Sequence, residues 1–101
     1  MKFFVIGDED TVMGFRLAGV EGEIVRTPEE AQNSLDRAFR TEGVGVILMT
    51  ERTAQSVREE LDRIAGKAEL PLIVEIPDGR GPMEGRRTVK EMIRQAVGVS
   101  L

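Results

Sequence analysis

The chain has 101 residues, 41% of them apolar and 32% charged, and a formal net charge of −4. That balance suits one globular domain and excludes a wholly disordered chain. Cysteine, histidine, tryptophan and tyrosine are all absent, which removes disulfides, thiolate nucleophiles, zinc–thiolate sites and the side chain that titrates unaided near neutrality. The longest apolar run, Val44 to Met49, is six residues, far short of the about 20 that a membrane-spanning helix needs.

Phe3-Phe4-Val5-Ile6 is a continuous apolar run that reads as a first strand. It leads into Gly7-Asp8-Glu9-Asp10 with no leader-like small-residue site, so no secretory signal is expected. A short helix follows from Asp10 to Ala18, stopped by Gly19, with Asp8 or Asp10 as its cap and carboxylates facing its positive end. Gly14 falls inside that helix, where glycine costs roughly 1 kcal/mol. It reads either as close packing of helix on sheet or as close approach of another chain.

Glu23-Ile24-Val25, led in by Glu21-Gly22, is a short and partly polar second strand and belongs at an edge. Thr27-Pro28-Glu29-Glu30 then combines a capping hydroxyl, a proline at the first helical position and a glutamate three residues after the threonine. Ala31, Leu35, Ala38 and Phe39 follow at i, i+4, i+7 and i+8 as one apolar stripe, and Gly43 ends the helix. Val44 to Met49 is the third strand. Thr50 or Thr53 caps one further helix, whose stripe is Ala54, Val57, Leu61 and Ile64 and whose stop is Gly66. Leu70 to Ile76 is the fourth strand. The first and third runs are apolar throughout and the fourth is apolar but for Glu75, the pattern of strands buried on both faces.

Strands and helices therefore alternate as βαβαβαβ, with one helix left over. Crossovers of this length make parallel, right-handed connections. The expected architecture is α/β: a four-stranded parallel sheet with helices on both faces, Rossmann-like or flavodoxin-like, over residues 1–77. Residues 78–101 form a hinge and a last helix. Pro77, Gly79, Gly81 and Pro82 supply the hinge. From Glu84 to Val97, the apolar residues Val89, Met92, Ile93, Ala96 and Val97 keep helical spacing, with Arg86, Arg87, Lys90 and Arg94 on the complementary positions. Charge is divided accordingly: residues 1–83 carry −6 and residues 84–101 carry +2. The basic side is either a solvated face or a contact for a protein with an acidic surface.

Catalytic and cofactor chemistry find little support. Asp8, Glu9 and Asp10 could hold Mg²⁺ as in phosphorelay receivers, but that chemistry also needs an aspartate after the third strand and a lysine after the last. Here those places read Leu48-Met49-Thr50 and Glu75-Ile76-Pro77, and the only lysines are Lys2, Lys67 and Lys90. Gly7 and Gly14 bracket three acids, which would repel phosphates. Nucleic acid is disfavoured by the net charge and by the lack of stacking aromatics beside Gly79-Arg80-Gly81 and Arg86-Arg87. No catalytic residue, metal site or cofactor is expected, and the structural positions are Asp8, Asp10, Gly14, Thr27 and Thr50.

The stretch Ile6-Gly7-Asp8-Glu9-Asp10-Thr11-Val12-Met13-Gly14-Phe15-Arg16-Leu17-Ala18-Gly19-Val20 resembles the opening of the F subunit of the A-type/V-type rotary ATP synthases and ATPases. Gly43 to Glu51, and Leu70 to Pro77 with the Gly/Pro loop after it, agree with that family. The resemblance implies a non-catalytic rotor component, cytoplasmic and peripheral to the membrane. It would bind the coiled-coil D subunit in the central stalk that turns inside the A and B subunits, coupling ATP turnover to H⁺ or Na⁺ movement. It also implies a mobile C-terminal helix that contacts the D subunit or the A and B subunits. On this sequence that gives Arg86, Arg87, Lys90, Met92, Ile93, Arg94 and Val97 as partner contacts. The competing expectation is a stand-alone regulatory pseudo-receiver or small-molecule-sensing α/β domain that uses the acidic cluster.

Overall fold

A computed structural model describes residues 1–64 and 70–79. Its elements are β1 (Lys2–Gly7), α1 (Glu9–Leu17), β2 (Glu21–Ile24), α2 (Pro28–Arg40), β3 (Val44–Thr50), α3 (Glu51–Ser56), α4 (Arg58–Ile64) and β4 (Leu72–Ile76). The four strands form one sheet in the order β2-β1-β3-β4, every pairing parallel. The α/β class, the parallel sheet and the edge position of the second strand are as the sequence implies.

Local chemistry sets the helix ends. Asp8 is the N-cap of α1, accepting from the Thr11 N–H at 3.2 Å and the Thr11 hydroxyl at 2.7 Å. Thr27 caps α2 by accepting from the Glu30 N–H at 3.1 Å, while Glu30 reaches back to the Arg26 N–H at 2.8 Å. Gly19 and Gly43 follow α1 and α2 with φ of +89° and +91°, the left-handed turn that a residue without Cβ takes at no steric cost.

The helix expected from Thr50 to Ile64 is two helices. Thr50 is the cap, and the chain breaks at Val57. The Ser56 hydroxyl donates to the Thr53 carbonyl at 2.6 Å, and the Val57 N–H bonds back to Ala54 in a tightened turn. Side-chain bonds of this kind compete with the helical ladder and bend it. Ala54, Val57 and Leu61 nonetheless stay in one buried cluster, because a single-residue break hardly disturbs an i, i+3, i+7 stripe. The Gly66 stop lies outside the described residues. β4 begins at Leu72 instead of Leu70, since Pro71 has no N–H to give to a ladder.

Register assigns the two faces. Phe4, Ile6, Ile47, Met49 and Ile73 share one face, where α2, α3 and α4 pack; Ile6, Ile47 and Met49 are buried there with Ala31, Leu35 and Ala38. Phe3, Val5, Val46, Leu48, Leu72 and Val74 share the other. There α1 lies over β1 and β2, with Val5 and Val12 fully buried. Burial on both faces, expected for the first, third and fourth strands, is not what β4, the start of β1 and the half-buried Val46 and Leu48 of β3 show. Phe3 is 49% exposed, Leu72 56% and Val74 37%. The cause is topological, because α1 covers only the β1–β2 half of its side.

Candidate functional site

Three places were open to a functional reading: the strand-end turns, the outer side of α1 and the C-terminal segment. At the carboxyl ends of β1 and β3 lies a cleft of ≈ 400 Å³, lined by Asp8, Glu9, Arg26, Thr27, Thr50, Arg52 and Asp78 among others. This is the switch point where parallel α/β sheets take ligands. Its charged groups are engaged with one another. Thr11 holds both carboxylate oxygens of Asp8. Glu9 faces Arg26 at 3.5 Å, and Arg52 Nε meets Asp78, whose side chain is 4% exposed, at 2.9 Å. The Thr50 and Thr53 hydroxyls bond to each other at 2.8 Å.

Asp10 lies in the first turn of α1, facing its N-terminal dipole. No group of three or more acids among the described residues converges as a metal site would. The cleft thus works as a set of clamps on helix starts and on the exit of β4.

Two further clamps lock helices to the sheet. Arg58 on α4 grips Glu75 on β4 through both carboxylate oxygens at 2.6 and 2.7 Å, a geometry that raises the Arg58 pKa through the bond to Glu75. On the other edge, Glu23 of β2 accepts from Arg37 at 2.6 and 3.2 Å and from Ser34 at 3.0 Å. The Arg37 bonds hold the Glu23 carboxyl below the usual range, against a smaller opposing effect of burial. A carboxyl lowered on folding adds stability above its unfolded pKa and loses that stability as pH falls through its folded pKa. Glu23→Gln is therefore expected to unfold at lower urea than wild type near neutrality, and the gap should close in strong acid. Paired urea melts at neutral and acid pH check it.

Gly14 corrects one sequence reading. It is not pressed against the sheet, and among the described residues outside its own helix backbone a Cβ built there meets nothing within 4 Å. Gly14 sits about 200° around the helix from buried Val12, at roughly 100° per residue, so it faces outward. Beside it, Met13 is exposed and Leu17 is 90% exposed. Arg16 turns toward the β2 edge, donating to the Gly22 carbonyl at 2.9 Å.

Sequence reasoning missed Met13 and Leu17 as surface residues. The signal was there: they lie one turn apart, on the side of α1 away from Val12. Pro77 and Gly79, expected to belong to a hinge, lie within three residues after β4, whereas Gly81, Pro82, Arg86, Arg87, Lys90, Met92, Ile93, Arg94 and Val97 lie outside the described residues. No helix among the described residues is long and apolar enough to cross a membrane.

Comparison with known proteins bears on the same stretches. The family model of the ATP synthase (F/14-kDa) subunit matches residues 3–93. The chain is 41% identical to the F subunit of the A-type ATP synthase of Methanothermobacter thermautotrophicus, covering 96% of this chain and 92% of that one. It is 42% identical to the F subunit of the A-type ATP synthase of Thermococcus kodakarensis, covering 100% and 98%. The crystal structure of the F subunit of the V-type ATP synthase from Archaeoglobus fulgidus superposes with a TM-score of 0.59 at 26% identity, over 74% of this chain and 95% of that one. With a profile spanning most of its length and relatives this similar from end to end, the chain belongs to the ATP synthase F (14-kDa) subunit family.

Proposed function

We propose that this chain is a non-catalytic central-stalk subunit of a rotary A/V-type ATP synthase. It is held by the coiled-coil D subunit and couples or regulates ATP turnover with H⁺ or Na⁺ movement. It works at the cytoplasmic side of the membrane as a peripheral part of the complex. The observation that carries the reading is the outer side of α1. Within the family-like stretch Met13 to Gly19, Leu17 is 90% exposed and a Cβ at Gly14 would meet no described residue outside its own helix turn within 4 Å. A glycine inside a helix is unfavourable, and here nothing among the described residues requires it. Close approach of a partner helix would.

The C-terminal segment adds a second contact in this reading. Met92, Ile93 and Val97 supply an apolar stripe, Arg86, Arg87, Lys90 and Arg94 a basic flank, and Pro77, Gly79, Gly81 and Pro82 the hinge. The A and B subunits are within the scope of that contact.

Gly14→Ala separates the two effects. In the free chain it is expected to stabilise by about 0.5–1 kcal/mol, through helix propensity at an uncrowded position. Against the D subunit the added methyl is expected to weaken binding. Calorimetry of the lone variant and light scattering of its mixture with the D subunit check both. A wild-type 1:1 complex supports the reading. Failure of wild type to bind any coiled-coil stalk protein overturns it, and Mg²⁺-dependent stabilisation of the lone chain would favour a pseudo-receiver instead.

A further inference from the structure

Among the described residues, Arg26, Arg37, Arg52, Arg58 and Arg63 each sit against a carboxylate. Arg16 and Arg40 do not. Arg40 is the exposed last residue of α2, where the negative end of the helix favours a cation. Arg16 also lies in the last turn of its helix, but its guanidinium has two specific partners. One nitrogen donates to the Gly22 carbonyl at 2.9 Å and another to the Met13 sulfur at 3.7 Å.

Both acceptors are neutral, so the guanidinium is held in place without its charge being balanced. It has five N–H donors, and these two bonds leave the others open to solvent on an exposed side chain. The carbonyl that anchors it lies at the rim of the sheet. Val25 donates to the Gly7 carbonyl at 2.9 Å, so Glu23 and Val25 bond toward β1 and Gly22 turns its carbonyl to the free edge of β2. Nearby acids do not neutralise it. Glu23 is taken by Arg37 and Ser34, and exposed Glu21 forms no ion pair with a described residue.

Position on α1 joins this charge to the apolar face. Counting roughly 100° per residue from buried Val12, Arg16 stands about 40° round, Met13 about 100° and Leu17 about 140°. The three make one strip, with Met13 and Leu17 exposed and Arg16 at its β2 margin. An apolar centre with a charged rim is the anatomy of a protein interface.

We infer that Arg16 receives a carboxylate of the partner, on a helix whose adjacent apolar side chain covers Met13 and Leu17. This rests on the central-stalk reading and adds the chemistry of the contact: an Asp or Glu within one turn of an apolar residue. Arginine suits the task better than lysine, because a planar fork already oriented by Gly22 and Met13 can give parallel bonds to one carboxylate. A rim pair of this kind fixes register and speeds encounter, and salt weakens it.

The test titrates the full-length chain with the coiled-coil D subunit at low and at high salt. Arg16→Gln is expected to bind roughly five- to tenfold more weakly than wild type at low salt, and within about twofold of it at high salt. Arg16→Lys should recover part of the loss, and Arg16→Glu should bind worse than Arg16→Gln at low salt. Leu17→Ala should lose affinity by a factor that salt does not relieve, since it removes apolar contact. Urea melts of the lone variants report the structural role. If Arg16 served only the Gly22 carbonyl, Arg16→Gln would unfold earlier and its binding loss would ignore salt, which overturns the inference. Wild-type binding by Arg16→Gln and Arg16→Glu overturns it as well, and leaves the central-stalk reading standing. Failure of wild type to bind overturns that reading and this inference with it.

Discussion

Leu35→Ala is expected to lower the unfolding free energy by about 2–5 kcal/mol. Leu35 is fully buried on α2, inside the cluster formed by Ile6, Ala31, Ala38, Ile47 and Met49. That cluster joins the two central strands to the helix that bridges from β2 to β3. Removing the isobutyl group loses its transfer free energy and leaves a cavity that β1 and β3 cannot close, because each is hydrogen-bonded on both sides. In a domain this small the loss amounts to a fall in melting temperature of roughly 4–8 °C per kcal/mol. Thermal melts of the two proteins at matched concentration check it. A fall of less than a few degrees would mean that the α2 face is not the main core.

Gly22→Ala is expected to destabilise by about 1–3 kcal/mol, an unusual cost for one methyl on an edge strand. A Cβ at Gly22 would stand 2.5 Å from the Val5 carbonyl oxygen and collide with the Val5 side chain, with Val12 just beyond at 3.3 Å. The obstacle is backbone as well as side chain, so it cannot swing away; β2 would have to lift from β1, weakening the ladder from Phe4 to Gly7. Gly14→Ala is expected to move stability the other way. Two glycines eight positions apart thus give substitutions of opposite sign, and urea unfolding of the pair in parallel tests the geometry of α1 on the sheet. If Gly22→Ala were neutral, the close approach of Gly22 to Val5 would be wrong.

Much of the architecture is legible in the order of residues because its causes are local. Thr27-Pro28 followed by Glu30 announces the start of α2 through hydrogen bonds made within four residues. Asp8 does the same for α1, and the apolar runs separated by helical stripes require parallel crossovers whatever their neighbours. The break at Val57 was not legible, since it depends on the Ser56 hydroxyl choosing the Thr53 carbonyl over solvent. Nor could spacing tell that Gly14 faces outward, because that depends on which side of α1 the sheet occupies.

The candidate surfaces divide along the same line. Sequence alone determined the element order, the helix caps, the absence of any thiol or imidazole chemistry, and the family-like motif from Gly7 to Gly19. Each of these is written in adjacent residues or in composition. Tertiary structure decided that the acids at the strand ends are spent on Thr11, Arg26 and Arg52, and that Leu72 and Val74 stand half bare on β4. The physical reason is that exposure belongs to no residue by itself. An apolar strand is buried only where the topology lays a helix across it, and in the order β2-β1-β3-β4 a single α1 cannot span the whole of its face.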